Sequence, residues 1–342
     1  MVIVPFVRWG ELARLCVDAC LALDDEDFLV CLVPSGKGDV PEPWASRQGV
    51  EIIASGVHGI SAKRNQAIRA HPEAELFACI DSDAWPEPQW LRNAREVFAQ
   101  DPDIWAVGGP NLDPPNLPFA RQVVGDALRS MLVSGPKVFT KRPSPSRDVV
   151  DLPSCNLIIR RQAVEATGGF DETMEVSEDS VLCQGVISRG KMIRFSPEVR
   201  VYHLPRAFLL PFARQRFVVG WGIPPLLRRC GRAMGPLAVA MELAPTLALA
   251  YLSLGWIPGL VNPWLWWPYL AVLGLYLGLV VVETLRVAHH PRGWLHTGVA
   301  LAAGNLLPGL GTIARYLGVS LDIGEVYRND LGAAQPPDAA RR

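Results

Sequence analysis

Between Ala233 and Val282 the chain carries one charged side chain, Glu242, in a run otherwise rich in Leu, Val, Ala and Trp. Two stretches of that run, Pro236–Pro258 and Trp264–Val282, each approach the ~20 apolar residues a helix needs to cross the hydrocarbon core of a bilayer. A water-soluble domain built from the rest of the chain has no surface able to cover two such helices, so the pattern predicts a membrane-crossing hairpin. Pro258, Gly259 and Asn262 supply its turn, and Trp256, Trp264, Trp266, Trp267 and Tyr269 suit an interfacial aromatic belt on that side. Arg228, Arg229 and Arg232 precede the first span and Arg286 and Arg292 follow the second, which by the positive-inside rule puts the N-terminal part in the cytoplasm. A third apolar stretch, Leu295–Ala314, is interrupted by Asn305, Pro308, Gly309 and Gly311 and is compatible with spanning, re-entrant or interfacial placement.

The first 205 residues read differently. Short apolar runs rich in β-branched or aromatic residues (Val2–Val7, Phe28–Val33, Val50–Ala54, Leu76–Ile80, Trp105–Gly108) predict strands. Glu11–Leu23, Ile60–Ala70 and Gln89–Gln100 predict helices between them, the last opening after Pro86 and Pro88. Such alternation argues for an α/β domain with a mainly parallel sheet and helices on both faces, whose ligands lie beyond the carboxyl ends of the strands. The expected organisation is this domain over 1–205, a basic interfacial segment over 206–234, a membrane domain of two to three helices over 235–318, and a polar tail over 319–342. The last ten residues, with Pro336 and Pro337 among alanines and arginines, read as disordered.

In 342 residues, 34 acids nearly balance 33 bases, so net charge gives no support for a nucleic-acid partner. The seven cysteines form no CxxC pair, and several lie in strand-like runs; they read as buried reduced thiols.

Three clusters carry chemistry. In Phe77-Ala78-Cys79-Ile80-Asp81-Ser82-Asp83 an apolar strand ends in two carboxylates, a costly arrangement unless a cation or hydrogen-bond donors compensate. Carboxylate oxygens suit hard ions such as Mg²⁺ or Mn²⁺, which also coordinate diphosphate; a pair of acids capping the next helix is the plainer reading. Glu178 and Asp179 stand before a helix expected to start near Ser180, as a catalytic base or as acids favouring a helix dipole. Val199-Arg200-Val201-Tyr202-His203 alternates like a strand ending in an imidazole, a metal ligand or a half-buried histidine.

The order of these elements resembles glycosyltransferase family 2, with its GT-A nucleotide-diphospho-sugar fold. Gly59-Ile60-Ser61-Ala62-Lys63-Arg64-Asn65 is similar to the family's loop-and-helix start, and Asp81-Ser82-Asp83 to its DxD segment. Asn156 with Arg160 and Arg161, then Gly168-Gly169-Phe170-Asp171-Glu172, resembles the stretch leading to the catalytic acids; Glu178-Asp179 falls on the family's Glu-Asp pair and Val201-Tyr202-His203 on its closing strand. The resemblance implies an inverting, metal-dependent transfer of sugar from a nucleotide-sugar. Pro5, Arg64, Asp81, Ser82, Asp83 and Asn156 would bind the donor, Asp83 and His203 the Mg²⁺ or Mn²⁺, and Asp179 beside Glu178 would be the base. Arg64 would neutralise the diphosphate or contact the base of the nucleotide. The family commonly carries a nucleobase-reading acid after the second strand; here Cys31-Leu32-Val33-Pro34-Ser35-Gly36-Lys37 has none.

Gln215-Arg216-Phe217, Gly220-Trp221-Gly222 and Arg228-Arg229 ahead of the spans are similar to membrane-bound members of the succinoglycan-synthesis type, which extend polyprenyl-diphosphate-linked oligosaccharides. The tighter Gln-x-x-Arg-Trp box of the processive synthases is absent. This likeness implies that Arg214, Arg216 and Trp221 face the acceptor or membrane lipid, and a multi-pass protein of the inner (plasma) membrane with its catalytic domain in the cytoplasm. A polyprenyl-phosphate sugar synthase and a non-catalytic membrane scaffold are the alternatives.

Overall fold

The computed structural model describes residues 1–36, 39–57 and 59–323. The predicted disordered tail lies outside them. The chain forms two compact units, one comprising Met1–Leu117 and Phe139–Leu204, the other Pro118–Val138 and Pro205–Leu321.

The first unit is built on an eight-stranded sheet, β3-β2-β1-β4-β9-β6-β10-β8, from β1 (Val2–Pro5), β2 (Val30–Val33), β3 (Val50–Ile52), β4 (Leu76–Cys79), β6 (Ile104–Gly108), β8 (Arg147–Val149), β9 (Leu157–Arg160) and β10 (Met192–Phe195). A smaller sheet, β5-β11-β7, joins β5 (Ala84–Pro86), β7 (Asn111–Leu112) and β11 (Val201–His203). The helices are α1 (Glu11–Leu21), α2 (Glu42–Ala45), α3 (Ile60–Ala70), α4 (Trp90–Gln100), α7 (Arg161–Thr167) and α8 (Glu178–Ile187). Side chains alternate across each strand, as the two-residue period requires. Val2, Val4, Val30 and Leu32 meet Cys16, Val17 and Cys20 of α1 and Trp90, Ala94 and Phe98 of α4. Ile3, Cys31, Val33 and Phe77 meet Ala67 and Ile68 of α3, Ala163 of α7 and Leu182 and Val186 of α8 on the other face. This is the α/β arrangement expected from the sequence.

Six strands of the large sheet run one way, and β8 and β9 run against them. The reversal of β9 matters most. Inserted between β4 and β6, it begins where they end, with Leu157 opposite both Cys79 and Gly108. The chain just before β9 therefore returns to the carboxyl edge of the sheet. Gly108 and Gly109 permit this, because a Cβ on either would collide with the carbonyl of Asn156 or of Val199.

The second unit is helical. α5 (Phe119–Leu128), α6 (Met131–Ser134), α9 (Leu210–Leu254), α10 (Trp266–Val287) and α11 (Trp294–Tyr316) form it. The regions holding α9, α10 and α11 are each long and apolar enough to cross a membrane. Two sequence expectations change here. Residues 118–138 do not belong to the α/β domain: Val123, Val124, Ala127 and Val133 make an apolar cluster with Phe212, Val287, Ala300 and Leu301. Nor is 206–234 a separate interfacial segment, since it forms the first part of α9, with Phe212, Val218, Ile223 and Leu226 buried and Arg228 and Arg232 exposed. The helix breaks at Gly235, whose φ of 79° is left-handed, and the predicted span starts at Pro236 beyond it.

The glycines and proline that interrupt the third apolar stretch do not end α11. They let it approach α9 closely, as small residues do between apolar helices. A Cβ on Gly220 would collide with the Pro308 carbonyl, and one on Gly311 with the Phe217 carbonyl. Thr312 Oγ1 donates to the Gly220 carbonyl at 2.9 Å, and Asn305 Nδ2 to the Leu132 carbonyl at 2.9 Å.

Candidate active site

The carboxylates of the DxD segment lie beyond the carboxyl end of β4, in the turn into β5. β5 pairs antiparallel with β11 so that Ala84 faces His203, and the Leu204 amide donates to the Asp83 carbonyl at 3.1 Å. The register brings the imidazole to Asp83, with Nε2 3.3 Å from Oδ1. A carboxylate oxygen of Asp81, Sγ of Cys155 and a ring nitrogen of His203 lie within 4.8 Å of one another. Carboxylates and an imidazole at a strand-end edge fit a divalent ion, and Asp81, Asp83 and His203 are the residues that would hold it.

Arg64 is a buried cation of this edge. Its NH1 donates to Glu178 Oε1 at 2.7 Å and its NH2 to Asp81 Oδ1 at 2.9 Å, with the guanidinium 5.1 Å from the centre of the Phe170 ring. It is 0 % exposed. The expectation that it meets a diphosphate or nucleobase is corrected: both faces of its fork are engaged by protein carboxylates. The Gly168–Glu172 segment has a structural purpose in the same place. Gly168 caps α7 in the left-handed conformation, and at Gly169 (φ 82°) a Cβ would lie 2.7 Å from Asn65 Oδ1. Asn65 exchanges hydrogen bonds with the amide and carbonyl of Phe170 and donates to Glu172, which fixes the ring beneath Arg64.

The acid pair begins α8, two residues earlier than expected, behind Ser177 at φ 64°. Glu178 is buried against Arg64; removal from water and the charge of Asp179 push its carboxyl up to about 7. Burial also raises Asp81 above the ordinary carboxylate range, against the pull of Arg64 and with the added push of Asp83. Asp179 is half-buried, and its oxygens accept from the Ser154 amide at 3.0 Å and from the Ser180 amide at 2.8 Å. These bonds aim it while leaving it partly open to solvent.

Pro5 and Ser82 also lie at this edge, at the end of β1 and between the two aspartates. Asn156 does not serve as expected. It is 0 % exposed, its Oδ1 accepting from Trp90 Nε1 and its Nδ2 donating to the Val199 and Pro110 carbonyls, so it braces the entry to β9. Arg160 and Arg161 likewise bind backbone carbonyls. In the second unit, Trp221 is 2 % exposed, with Nε1 donating to the Val319 carbonyl and Arg315 over its ring. Arg216 donates to the Gly304 and Val133 carbonyls. The assignment of Trp221 and Arg216 to acceptor or lipid is corrected to helix packing; Arg214 is exposed on the same helix.

Three groups escaped the sequence reading. Lys63 is 1 % exposed, with Nζ donating to the Phe6 carbonyl and 2.9 Å from Ser35 Oγ, and burial lowers its ammonium to about 8. Lys141 acts electrostatically on Cys155. Cys155 itself had no sequence signal separating it from six other buried thiols.

Residues 1–168 match the sequence model of Glycosyl transferase family 2. They form a family 2 glycosyltransferase domain. Two curated relatives, the pre-mycofactocin glycosyltransferases of Mycobacterium tuberculosis strains CDC 1551 / Oshkosh and ATCC 25618 / H37Rv, are each 30% identical over 184 residues, 53% of this chain and 38% of theirs. The chain thus spans well under half the length of these relatives. A mannosyltransferase from Pyrobaculum calidifontis, solved in complex with GDP-Man and Mn²⁺, superposes with a TM-score of 0.61 at 18% identity, covering 93% of this chain and 87% of that one. The likeness gives the glycosyltransferase domain its GT-A fold.

Proposed function

We propose that the protein is a membrane-bound, inverting glycosyltransferase that uses Mg²⁺ or Mn²⁺ to bind a nucleotide-sugar and passes the sugar to a polyprenyl-diphosphate-linked saccharide at the cytoplasmic face of the inner membrane. The convergence of Asp81, Asp83, His203 and the Glu178–Asp179 pair at one sheet edge carries this reading. When bound, the ion neutralises charge developing on the departing nucleoside diphosphate. Asp83 and His203 hold it, and Mn²⁺ in the mannosyltransferase of like fold supports that choice. Asp179, aimed by two backbone amides and open to solvent, takes the proton of the acceptor hydroxyl. Glu178, paired with Arg64, is the positioning member of the acid pair. The three apolar helices support a membrane-associated acceptor. A second acceptor reading, a pre-mycofactocin, is favoured by the likeness to the two mycobacterial relatives.

The test is transfer by the detergent-solubilised full chain, given labelled nucleotide-sugars, Mn²⁺ and either lipid-linked saccharides or a pre-mycofactocin. Labelled product that disappears with EDTA and in Asp179→Asn is expected. Absence of both transfer and metal-dependent nucleoside-diphosphate binding across the panel overturns the reading.

A further inference from the structure

The centre described above contains a thiol that sugar transfer does not call for. Cys155 occupies a single helical turn, Ser154–Asn156, immediately before β9. Because β9 runs antiparallel to β4, that turn is carried back to the strand end that bears Asp81. The 4.8 Å within which the Asp81, Cys155 and His203 donor atoms fall is about the span of two metal–ligand bonds of ~2.0–2.3 Å. Cys155 is 5 % exposed, and Asp83 Oδ1 lies 3.3 Å from His203 Nε2.

Oxygen donors with one imidazole suit Mg²⁺ or Mn²⁺. Sulfur is different: soft and polarisable, it is a poor donor to Mg²⁺ and a strong one to Zn²⁺, Co²⁺ and Cd²⁺. One sulfur, one nitrogen and one oxygen donor around an open position is the kind of mixed set that borderline ions accept. We infer that Cys155 is a metal ligand, so that this centre is thiophilic and takes Zn²⁺-class ions through Asp81, Cys155 and His203 in preference to Mg²⁺. The inference rests on the reading of this edge as a metal site. On binding, the thiol proton is released to solvent and the thiolate pair forms the bond to the ion, with no change of oxidation state.

Cobalt distinguishes a bound thiolate from a bystander thiol by the near-ultraviolet sulfur-to-metal charge-transfer absorption that only direct ligation produces. The full chain in detergent is titrated with Co²⁺ alone. The wild type should show that band together with visible ligand-field bands. Cys155→Ser should keep the visible bands and lose the charge-transfer band, and His203→Ala should weaken both. Calorimetry with Cd²⁺ and Mg²⁺ should show the Cd²⁺-to-Mg²⁺ affinity ratio falling by ~10-fold or more in Cys155→Ser, at least the loss that removing an indirect metal partner gives. A wild type without the charge-transfer band, or a band that survives Cys155→Ser, overturns the inference. If the band is missing while Mn²⁺-dependent binding of nucleoside diphosphate is present and lost in Asp83→Ala, only the role of Cys155 fails. If neither Mn²⁺ nor Co²⁺ binds, the metal site fails with it.

Discussion

Replacing Arg64 with methionine removes the cation shared by Glu178 and Asp81 while keeping a side chain of similar reach above Phe170. Removing one partner of a buried ion pair typically costs ~3–5 kcal/mol, because the remaining charge is left uncompensated. Two acids lose their partner here, but their side chains are 29% and 11% exposed, and water takes up part of the Asp81 charge, so the single-pair range is not doubled. For a unit of this size ~3–5 kcal/mol corresponds to a melting temperature lower by roughly 6–20 °C. The sign of the pH dependence follows from the carboxyls. Glu178 and Asp81 are already raised in the folded state, Glu178 to about 7, and without Arg64 both rise further. A carboxyl raised by folding contributes stability below its unfolded pKa and loses it as pH climbs through the folded one. The deficit of Arg64→Met should therefore be small at pH 5 and larger at pH 8. Thermal unfolding of the full chain in detergent, followed by tryptophan fluorescence at both pH values, measures it. Adding Glu178→Gln should restore part of the loss. A variant melting within ~2 °C of wild type at pH 8, or a deficit equal at the two pH values, refutes the argument that Arg64 is an internal counter-ion.

Asp83→Ala should abolish Mn²⁺-dependent nucleoside-diphosphate binding in calorimetry with the fold intact; affinity unaltered with and without EDTA would remove Asp83 from the site. Asp179→Asn should lower turnover by ~10²–10⁴-fold with little change in donor affinity, whereas selective loss in Glu178→Gln would make Glu178 the base. Val261, 91% exposed in the turn before α10, becomes a topology probe as Val261→Cys against a background of buried native thiols: an impermeant maleimide should reach it only from the side opposite the N-terminal unit, and labelling only from the cytoplasm would show that the hairpin does not cross. Gly220→Ala and Gly311→Ala should each destabilise the helical unit by ~1–3 kcal/mol through overpacking, read as a lower melting temperature; wild-type melting of both would contradict the close approach of α9 and α11.

The sequence exposed what depends on local pattern. The strands β1 and β4, the helix Ile60–Ala70 and the strand-end aspartates were legible because apolar periodicity and strand-end acids are written in neighbouring residues. What depends on strand direction was not. Nothing in Ser154-Cys155-Asn156 announces that β9 reverses and delivers Cys155 to Asp81 while burying Asn156. Arg64 reads as a ligand-binding cation in any linear view, and only the fold shows two carboxylates closing on it from 17 and 114 residues away. The interruptions in α11 left its placement open for a related reason: glycine weakens an isolated helix, yet between packed helices it is what lets backbones touch.

The excursion of Pro118–Val138 into the helical unit sets a schedule for biosynthesis. Residues that pack α5, such as Ala300 and Leu301, are made more than 160 positions after Val138. At ~5–20 residues per second of translation, α5 waits for about 10–30 s before its apolar face is covered. Throughout that interval the nascent chain presents Val123, Val124 and Ala127 to the ribosome's surroundings. The α/β strands on either side of the excursion can meet earlier, so the chain folds around an unfinished loop. A truncated chain ending near residue 205 would stay in that intermediate permanently, which makes its expected failing aggregation through α5 rather than loss of the α/β sheet.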